Sequence, residues 1–359
     1  MTQVDLKKTT KYAVLGFLAC ALLFTVGAWG TINGTTALYE TALTKSIFGG
    51  EGFNISLTWF LLLIVIFALL MLWLSVMKKK QANGGKSLGL FLISTFHKYR
   101  FLLEQLILRD FKIKYKRSIL GVFWSFLNPL LMMSVQYIVF SKLFNLRGAG
   151  VQHYAIYLLC GIVIWGGFND CATQSMRSIM TNAHLITKVY VPKYIYPISK
   201  VMSAFINVVL SMVPLLLVTV IYGLFSDPHL FLKPSVLLLP FALILLLLFV
   251  QGIGFVLSTL MVFFHDIEFL WSVFAMVWMY ATPIIYSLSM FNGENSAWLK
   301  TAMNFNPLYH YIDFVRTIIL EGTSPSFAQM GICLGFSLLS FFLGAFIFKK
   351  NQDRFILYL

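Results

Sequence analysis

Charge is what this sequence has least of. Only 11% of its 359 residues are Asp, Glu, Lys or Arg, against about 25% in an average soluble domain. A soluble chain of this length needs a polar coat over its core, and there is too little charge here to supply one. Acidic residues are the scarcer kind, 13 against 27 basic ones, which leaves a net charge of +14. On a soluble protein that excess would point to nucleic acid or an acidic surface. The placement of the cations gives it another cause, set out below. Cysteine is also scarce. Cys20, Cys160, Cys171 and Cys333 lie in apolar stretches with no ligand spacing and no disulfide framework, and read as small packing residues. The six histidines (His97, His153, His184, His229, His265 and His310) include no recognised metal spacing and no H-E-x-x-H. No G-x-S-x-G elbow occurs. Neither a metal centre nor a catalytic site is therefore expected on this chain. Asn83-Gly84-Gly85-Lys86-Ser87 ends like a phosphate-binding loop, but the position of its opening glycine is Lys80 and no apolar strand leads into it. An ATPase, if transport uses one, must be another chain.

What the sequence has instead is apolar length. Hydrophobic residues make up 59% of it, mean hydropathy is +0.83, and the apolar residues gather into runs near the ~20 that cross a bilayer. The expected fold is an all-α polytopic membrane protein. Spans are expected near 12–32, 57–77, 122–145, 154–176, 200–223, 235–261, 269–288 and 328–348. The first follows Lys7, Lys8 and Lys11 and superficially resembles a signal peptide, but its length and poorly defined small-residue exit favour a retained span. The second stops at Lys78, Lys79 and Lys80 before a Gln-Ala-Asn-Gly-Gly linker. Residues 87–120 mix Leu88, Leu92, Phe96 and Leu103 with nine or more charges and read as an amphipathic helix on the inner membrane surface. This divides the chain into a two-helix extension (1–86), an interface helix (87–120) and a six-helix domain (121–359). Pro129, Pro214, Pro240 and Pro283 fall in or near the spans, where neighbours must satisfy the carbonyls they free. The segment 289–327 is half apolar and is expected to enter the membrane edge as short helices.

Basic residues set the orientation. With the amino terminus in the cytoplasm and eight crossings, 21 of the 27 Lys and Arg fall on the cytoplasmic side, a strong positive-inside bias. Both termini are then cytoplasmic, and the +14 is a topology signal rather than a nucleic-acid footprint. Asp170 lies within a span. It marks a polar cavity or partner contact, or it is an interfacial acid at the cytoplasmic end; both readings stand. The core spans otherwise carry almost no ionisable groups and no evident repeat, so proton or sodium coupling has no obvious residue.

Residues 98–145 contain Arg109-Asp110, Lys112, Tyr115, Ser118, Leu120-Gly121, Trp124-Ser125 and Pro129 in one series. This closely resembles the membrane subunit of bacterial ABC-2 type exporters of cell-surface polysaccharide, which handle O-antigen, capsule, teichoic acid or rhamnose-rich glycans. Asn182 to Val201, Phe264-His265-Asp266-Ile267, Ala281 to Tyr286 and Asn306-Pro307 continue it in order. His265 stands where arginine is commoner in the family. The resemblance covers about 98–359, and the two amino-terminal spans depart from the usual six. It implies two permease chains joined to two ATPase chains in a bacterial cytoplasmic membrane, with ATP and Mg on the partner subunits, no cofactor on this chain, and a lipid-linked glycan as substrate. An ABC-2 permease exporting a drug or small lipid is the alternative.

Under that resemblance three groups of residues acquire roles. A glycan needs a shielded path, because its desolvation in hydrocarbon is costly, and aromatic rings suit the C–H faces of sugars. Tyr137, Tyr154, Trp165, Phe168, Trp278, Tyr280 and Tyr286 are the path candidates. Arg109, Asp110, Lys112, Lys116 and Arg117, with Lys114, are placed to meet headgroups or a substrate diphosphate. Lys188, Pro192, Lys193 and Pro197 in a loop at 182–197, with His265, Asp266 and Glu268, are the candidates for contact with the ATPase.

Overall fold

A computed structural model describes residues 14–15, 88–116, 118–143, 153–188, 191–225, 234–287 and 297–359. The spans expected at 12–32 and 57–77 lie outside the described residues, apart from 14–15, as does the linker after them. Chain contacts divide the protein into two units, Met1–Glu104 with Lys233–Leu237, and Gln105–Leu232 with Leu238–Leu359. In the first, the described residues are chiefly the start of helix α1 (Leu88–Tyr115), where Arg100 pairs with Glu104 one turn on at 2.6 Å.

All regular secondary structure among the described residues of the second unit is helical. Its elements are the end of α1, α2 (Trp124–Tyr137), α3 (Tyr154–Met176), the short α4 (Ser178–Thr181) and α5 (Ala183–Lys188), α6 (Ile195–Phe225), α7 (Leu239–Phe263), α8 (Ile267–Ala281), α9 (Ala297–Asn304), α10 (Pro307–Arg316) and α11 (Phe327–Asn351). Among the described residues, five helical stretches are long and apolar enough to cross a membrane: Gly121–Ser141, Tyr154–Met176, Ile195–Phe225, Ser235–Phe263 and Phe327–Leu357. The turn from α1 into α2 passes through Gly121 at φ +51°, a left-handed conformation that glycine adopts without Cβ strain.

Helix α3 is the centre. Most of its residues are buried, and α6 and α7 pack along it while α11 packs along α7. Small residues set the α7–α11 spacing. A Cβ on Gly252 would sit 2.2 Å from the Ser340 carbonyl carbon, and one on Gly344 would sit 2.1 Å from the Gly252 oxygen. At that approach the Ser337 and Ser340 hydroxyls donate across to the carbonyls of Leu245 (2.8 Å) and Phe249 (2.9 Å), interhelical bonds of the kind that hold membrane helices together. Pro129 inside α2 leaves the Ser125 carbonyl without its helical donor; the Ser211 hydroxyl of α6 supplies one at 3.1 Å.

Three boundaries differ from the sequence expectation. The span expected at 269–288 is a helix of 15 residues ending at Ala281, about 22 Å long at 1.5 Å per residue. Thr282 turns extended, φ −97° and ψ 133°, because the Pro283 ring disfavours helical backbone in the residue before it. The run expected to start at 200 begins at Ile195. Pro197 therefore lies in the first turn of α6, where its missing N–H costs nothing, and not in a loop. The segment 182–197 also contains helix α5. Within 289–327 the described residues form short helices, α9 and α10, and Asn306 caps α10 by accepting from Leu308 N–H at 3.1 Å.

Candidate functional site

A cleft of about 630 Å³ opens between the last turn of α1 and α2 on one wall and α3 and α6 on the other, closed at one end by Met279, Ile284 and Ile285. Its walls are amphipathic. Trp124, Pro129, Met132 and Trp165 give apolar surface, and Asn128, Gln136, Asn169 and Asn207 give amides. At the α1 end Lys114 reaches Asp170 at 2.9 Å, and Gln174 donates to the other carboxylate oxygen at 2.8 Å. Asp170 thus lines a polar cleft, the first of its two sequence readings, and ties α1 to α3. One turn further in, the Tyr115 hydroxyl donates to Asn207 Oδ1 at 2.5 Å and lies 2.5 Å from Ser125 Oγ. Those bonds fix the α1–α2 corner against α6. Gln136 Oε1 and Asn169 Oδ1 are buried acceptors with no hydrogen-bond partner among the described residues. Such atoms carry a desolvation cost that a donor in the cleft would relieve.

The Arg109–Asp110 pair faces inward. Arg109 donates to Asp110 Oδ1 at 3.1 and 2.9 Å and to Asn182 Oδ1 at 3.1 Å. Lys200 of α6 approaches the other Asp110 oxygen at 3.0 Å, and the carboxylate is 6% exposed. Two cations flank one buried acid, joining α1 to α6, and Arg109 joins α1 to the turn before α5. Lys112 and Lys116 are exposed; Arg117 lies outside the described residues.

The path aromatics fall into two groups. Trp165 packs against Phe168 (5.7 Å between centroids) and edge-on to Trp278 (6.2 Å). Phe168 is fully buried behind it, against Phe249 and Trp271. Tyr137 lies 6.3 Å from Tyr154, whose hydroxyl donates to the Ile285 carbonyl at 2.7 Å, and Tyr286 donates to the Tyr280 carbonyl at 3.1 Å. Tyr280 is exposed on α8. Of the seven, Trp165 alone lines the cleft described above.

The residues expected to couple gather at the α1 end. Glu268, at the start of α8, pairs with Arg177, at the end of α3. His265, Asp266 and Lys188 are exposed, and Pro192 is half-buried. Lys193 turns back into the protein: its ammonium donates to the Gln352 carbonyl at 2.6 Å and lies over the Phe355 ring. Burial lowers its pKa from the ordinary lysine value.

Several residues of this site were missed in the sequence reading. Asn169, Asn207 and Gln136 stand as amides within apolar runs, and that rarity was the available signal. Lys200 and Asn182 fall in the family-like stretch Asn182 to Val201, but nothing in that pattern names them as partners of Arg109–Asp110, where the fold brings them.

Comparison with known proteins sets this geometry in a family. Residues 102–320 match the ABC-2 type transporter family. The chain is 30% identical over 257 residues to the O-antigen export system permease protein RfbA of Klebsiella pneumoniae, which covers 71% of this chain and 93% of that protein. To the protein of the same description from Myxococcus xanthus it is 27% identical over 264 residues, 74% of this chain and 97% of the relative. The match takes in the α1–α2 corner, the cleft, and α8 through α10 in one continuous alignment, and this chain belongs to the ABC-2 type transporter family as a transporter membrane component.

Proposed function

We propose that this chain is the permease subunit of an ATP-driven exporter that carries a lipid-linked cell-surface polysaccharide across the bacterial cytoplasmic membrane. The observation that carries this reading is the alignment with the O-antigen export permeases over more than nine-tenths of their length. The cleft suits such a cargo. Its unpartnered amide oxygens, Gln136 Oε1 and Asn169 Oδ1, are acceptors for hydroxyl groups, and Trp165 and Trp124 offer ring faces beside them. A drug-sized amphiphile would have less need of buried acceptors.

In this reading two copies of the chain work with two ATPase subunits, which bind ATP and Mg. Both termini lie in the cytoplasm, so the α1 end of the bundle faces the ATPase and α10 faces outward. The exposed groups Lys188, His265 and Asp266, the Arg177–Glu268 pair and the Lys193 contact receive the ATPase. Lys112, Lys116 and Arg117 meet anionic headgroups or the substrate diphosphate, while Arg109 and Asp110 hold α1 in place. Of the aromatics, Trp165, Trp278 and Tyr280 are nearest to the surfaces a glycan could touch.

The test is to purify the chain with the proteins encoded beside it, in lipid, and to measure ATP hydrolysis with and without lipid-linked glycan. Co-purification of an ATPase stimulated by glycan supports the reading. Stimulation by small amphiphiles alone favours the drug or small-lipid exporter, and a chain that recruits no ATPase overturns both.

A further inference from the structure

The two ends of α8 are attached to α3 by different chemistry. At the α1 end the attachments are the Arg177–Glu268 ion pair, whose side chains are 51% and 36% exposed, and, one turn on, the buried Trp271, whose indole N–H donates to Thr173 Oγ1 of α3 at 3.3 Å. An exposed ion pair contributes little net stability and is weakened by salt. At the other end the chain leaves α8 through the non-helical residues 282–286. Buried side chains donate to carbonyls along this stretch. Arg316, 6% exposed, donates to the carbonyls of Pro283 (2.7 Å), Ile284 (3.1 Å) and Tyr157 (3.2 Å). The Tyr154 hydroxyl takes Ile285 O at 2.7 Å, and the Tyr157 hydroxyl takes Tyr286 O at 2.8 Å.

Arg316 is an unusual way to do this. Among the described residues no carboxylate lies within ion-pair distance of its guanidinium. The charge is met instead by the three carbonyls, by the face of Tyr157, 3.4 Å from its central carbon, and at longer range by Asp313, one turn back on α10. Gly161 of α3 makes the room: a Cβ there would lie 2.8 Å from Ile284 Cγ2 and 3.2 Å from an Arg316 nitrogen. A second tie runs alongside. Asn306 donates to Thr282 Oγ1 at 2.9 Å and accepts from Trp278 Nε1 at 2.9 Å. Planar, permanently charged and able to serve several acceptors at once, a guanidinium holds a bend in a way that lysine or glutamine does not.

We propose that Arg316 is the positioning residue that makes this end of α8 a fixed pivot, so that force from the ATPase swings the Glu268 end, tied to α3 by an exposed ion pair and a single 3.3 Å indole bond, while the bend at 282–286 stays on α3. The inference rests on the ATP-driven reading above. It assigns the two clamps different jobs: the exposed one yields in each cycle, and the buried one does not.

The test uses the full chain assembled with its ATPase in lipid, its four cysteines replaced by alanine, and spin labels in two pairs. One pair is Leu270→Cys, two residues after Glu268, with Thr181→Cys; the other is Val277→Cys, five residues before Thr282, with Ala328→Cys. Distances are compared between the nucleotide-free state and the state trapped with ATP and vanadate. Leu270 is twelve residues from Thr282 and Val277 is five, which at 1.5 Å per residue puts the labels about 18 and about 7.5 Å from the pivot. Rigid swinging therefore displaces the Leu270 label roughly twice as far. In Arg316→Gln the two displacements become equal, and in Arg316→Lys, which keeps the cation on the Tyr157 ring, the difference is partly restored. If Arg316→Gln does not assemble, Tyr157→Phe, which removes only the hydroxyl bonds to the bend, gives the same equalisation in smaller degree. Equal displacements in the unsubstituted protein, or an unchanged ratio in these variants, overturn the pivot while an ATPase-coupled exporter stands. A chain that recruits no ATPase and shows no ATP-dependent change overturns the reading and the pivot together.

Discussion

Helices α2 and α3 are nearly alike in mean hydropathy and opposite in placement. In the most apolar window of Gly121–Ser141, 6% of residues are buried within the chain; in that of Tyr154–Met176 the share is 67%. An apolar side chain is equally at home in lipid and among other helices, so hydropathy does not distinguish the two. Small residues do. Gly161 and Gly167 lie in α3, and a Cβ at Gly167 would sit 2.6 Å from Val208 of α6; α2 itself contains no glycine. The buried helix is the scaffold, and the exposed one forms a cleft wall and turns an open face, Leu131, Val135 and Ile138, away from the chain's core.

The comparison can be pressed by substitution, read as loss of thermal or denaturant stability of the purified chain in lipid. Phe168→Ala should cost most, roughly 4 kcal/mol, because a fully buried ring among four aromatic neighbours leaves a cavity. Gly252→Ala should follow at roughly 3 kcal/mol, since its new methyl meets the Ser340 backbone and α7 must part from α11. Asp110→Asn should cost about 2 kcal/mol through weakened bonds to Arg109 and Lys200. It should also loosen α1, seen as faster amide exchange in that helix. Leu131→Ala with Val135→Ala should change the stability of the isolated chain by no more than about 0.5 kcal/mol. If that pair is as costly as Phe168→Ala, α2 is part of the core and the contrast fails. If it is neutral in the isolated chain but lowers the stability of the assembled complex, another subunit covers α2.

Much of the architecture was legible in advance. Low charge, apolar runs and the Arg109 to Pro129 series pointed to membrane helices of the right family and located α2, α3, α6, α7 and α11 to within a few residues. The misjudged end of α8 was legible too, since Thr282 precedes Pro283 and a residue so placed turns extended. The site was less so. Phe168 and Trp165 are alike in sequence as aromatic residues of one span, yet one is sealed behind the wall that the other lines. Arg109 and Lys112 stand in one basic run, yet one is held by Asp110 and Asn182 and the other is exposed. Arg316 counted only as one of six cations on the outer side.

The sequence by itself determined that the chain lives in lipid, where α2, α3, α6, α7 and α11 run and which family it joins, because solvent preference and backbone propensity act on residues locally and in order. Only the tertiary structure decided which acid is a clamp, which amides face a cleft and which arginine is buried. Those depend on contacts across long separations, such as 73 residues from Arg109 to Asn182 and 159 from Tyr157 to Arg316. No local pattern records which distant carbonyl or carboxylate will be there when the helices pack.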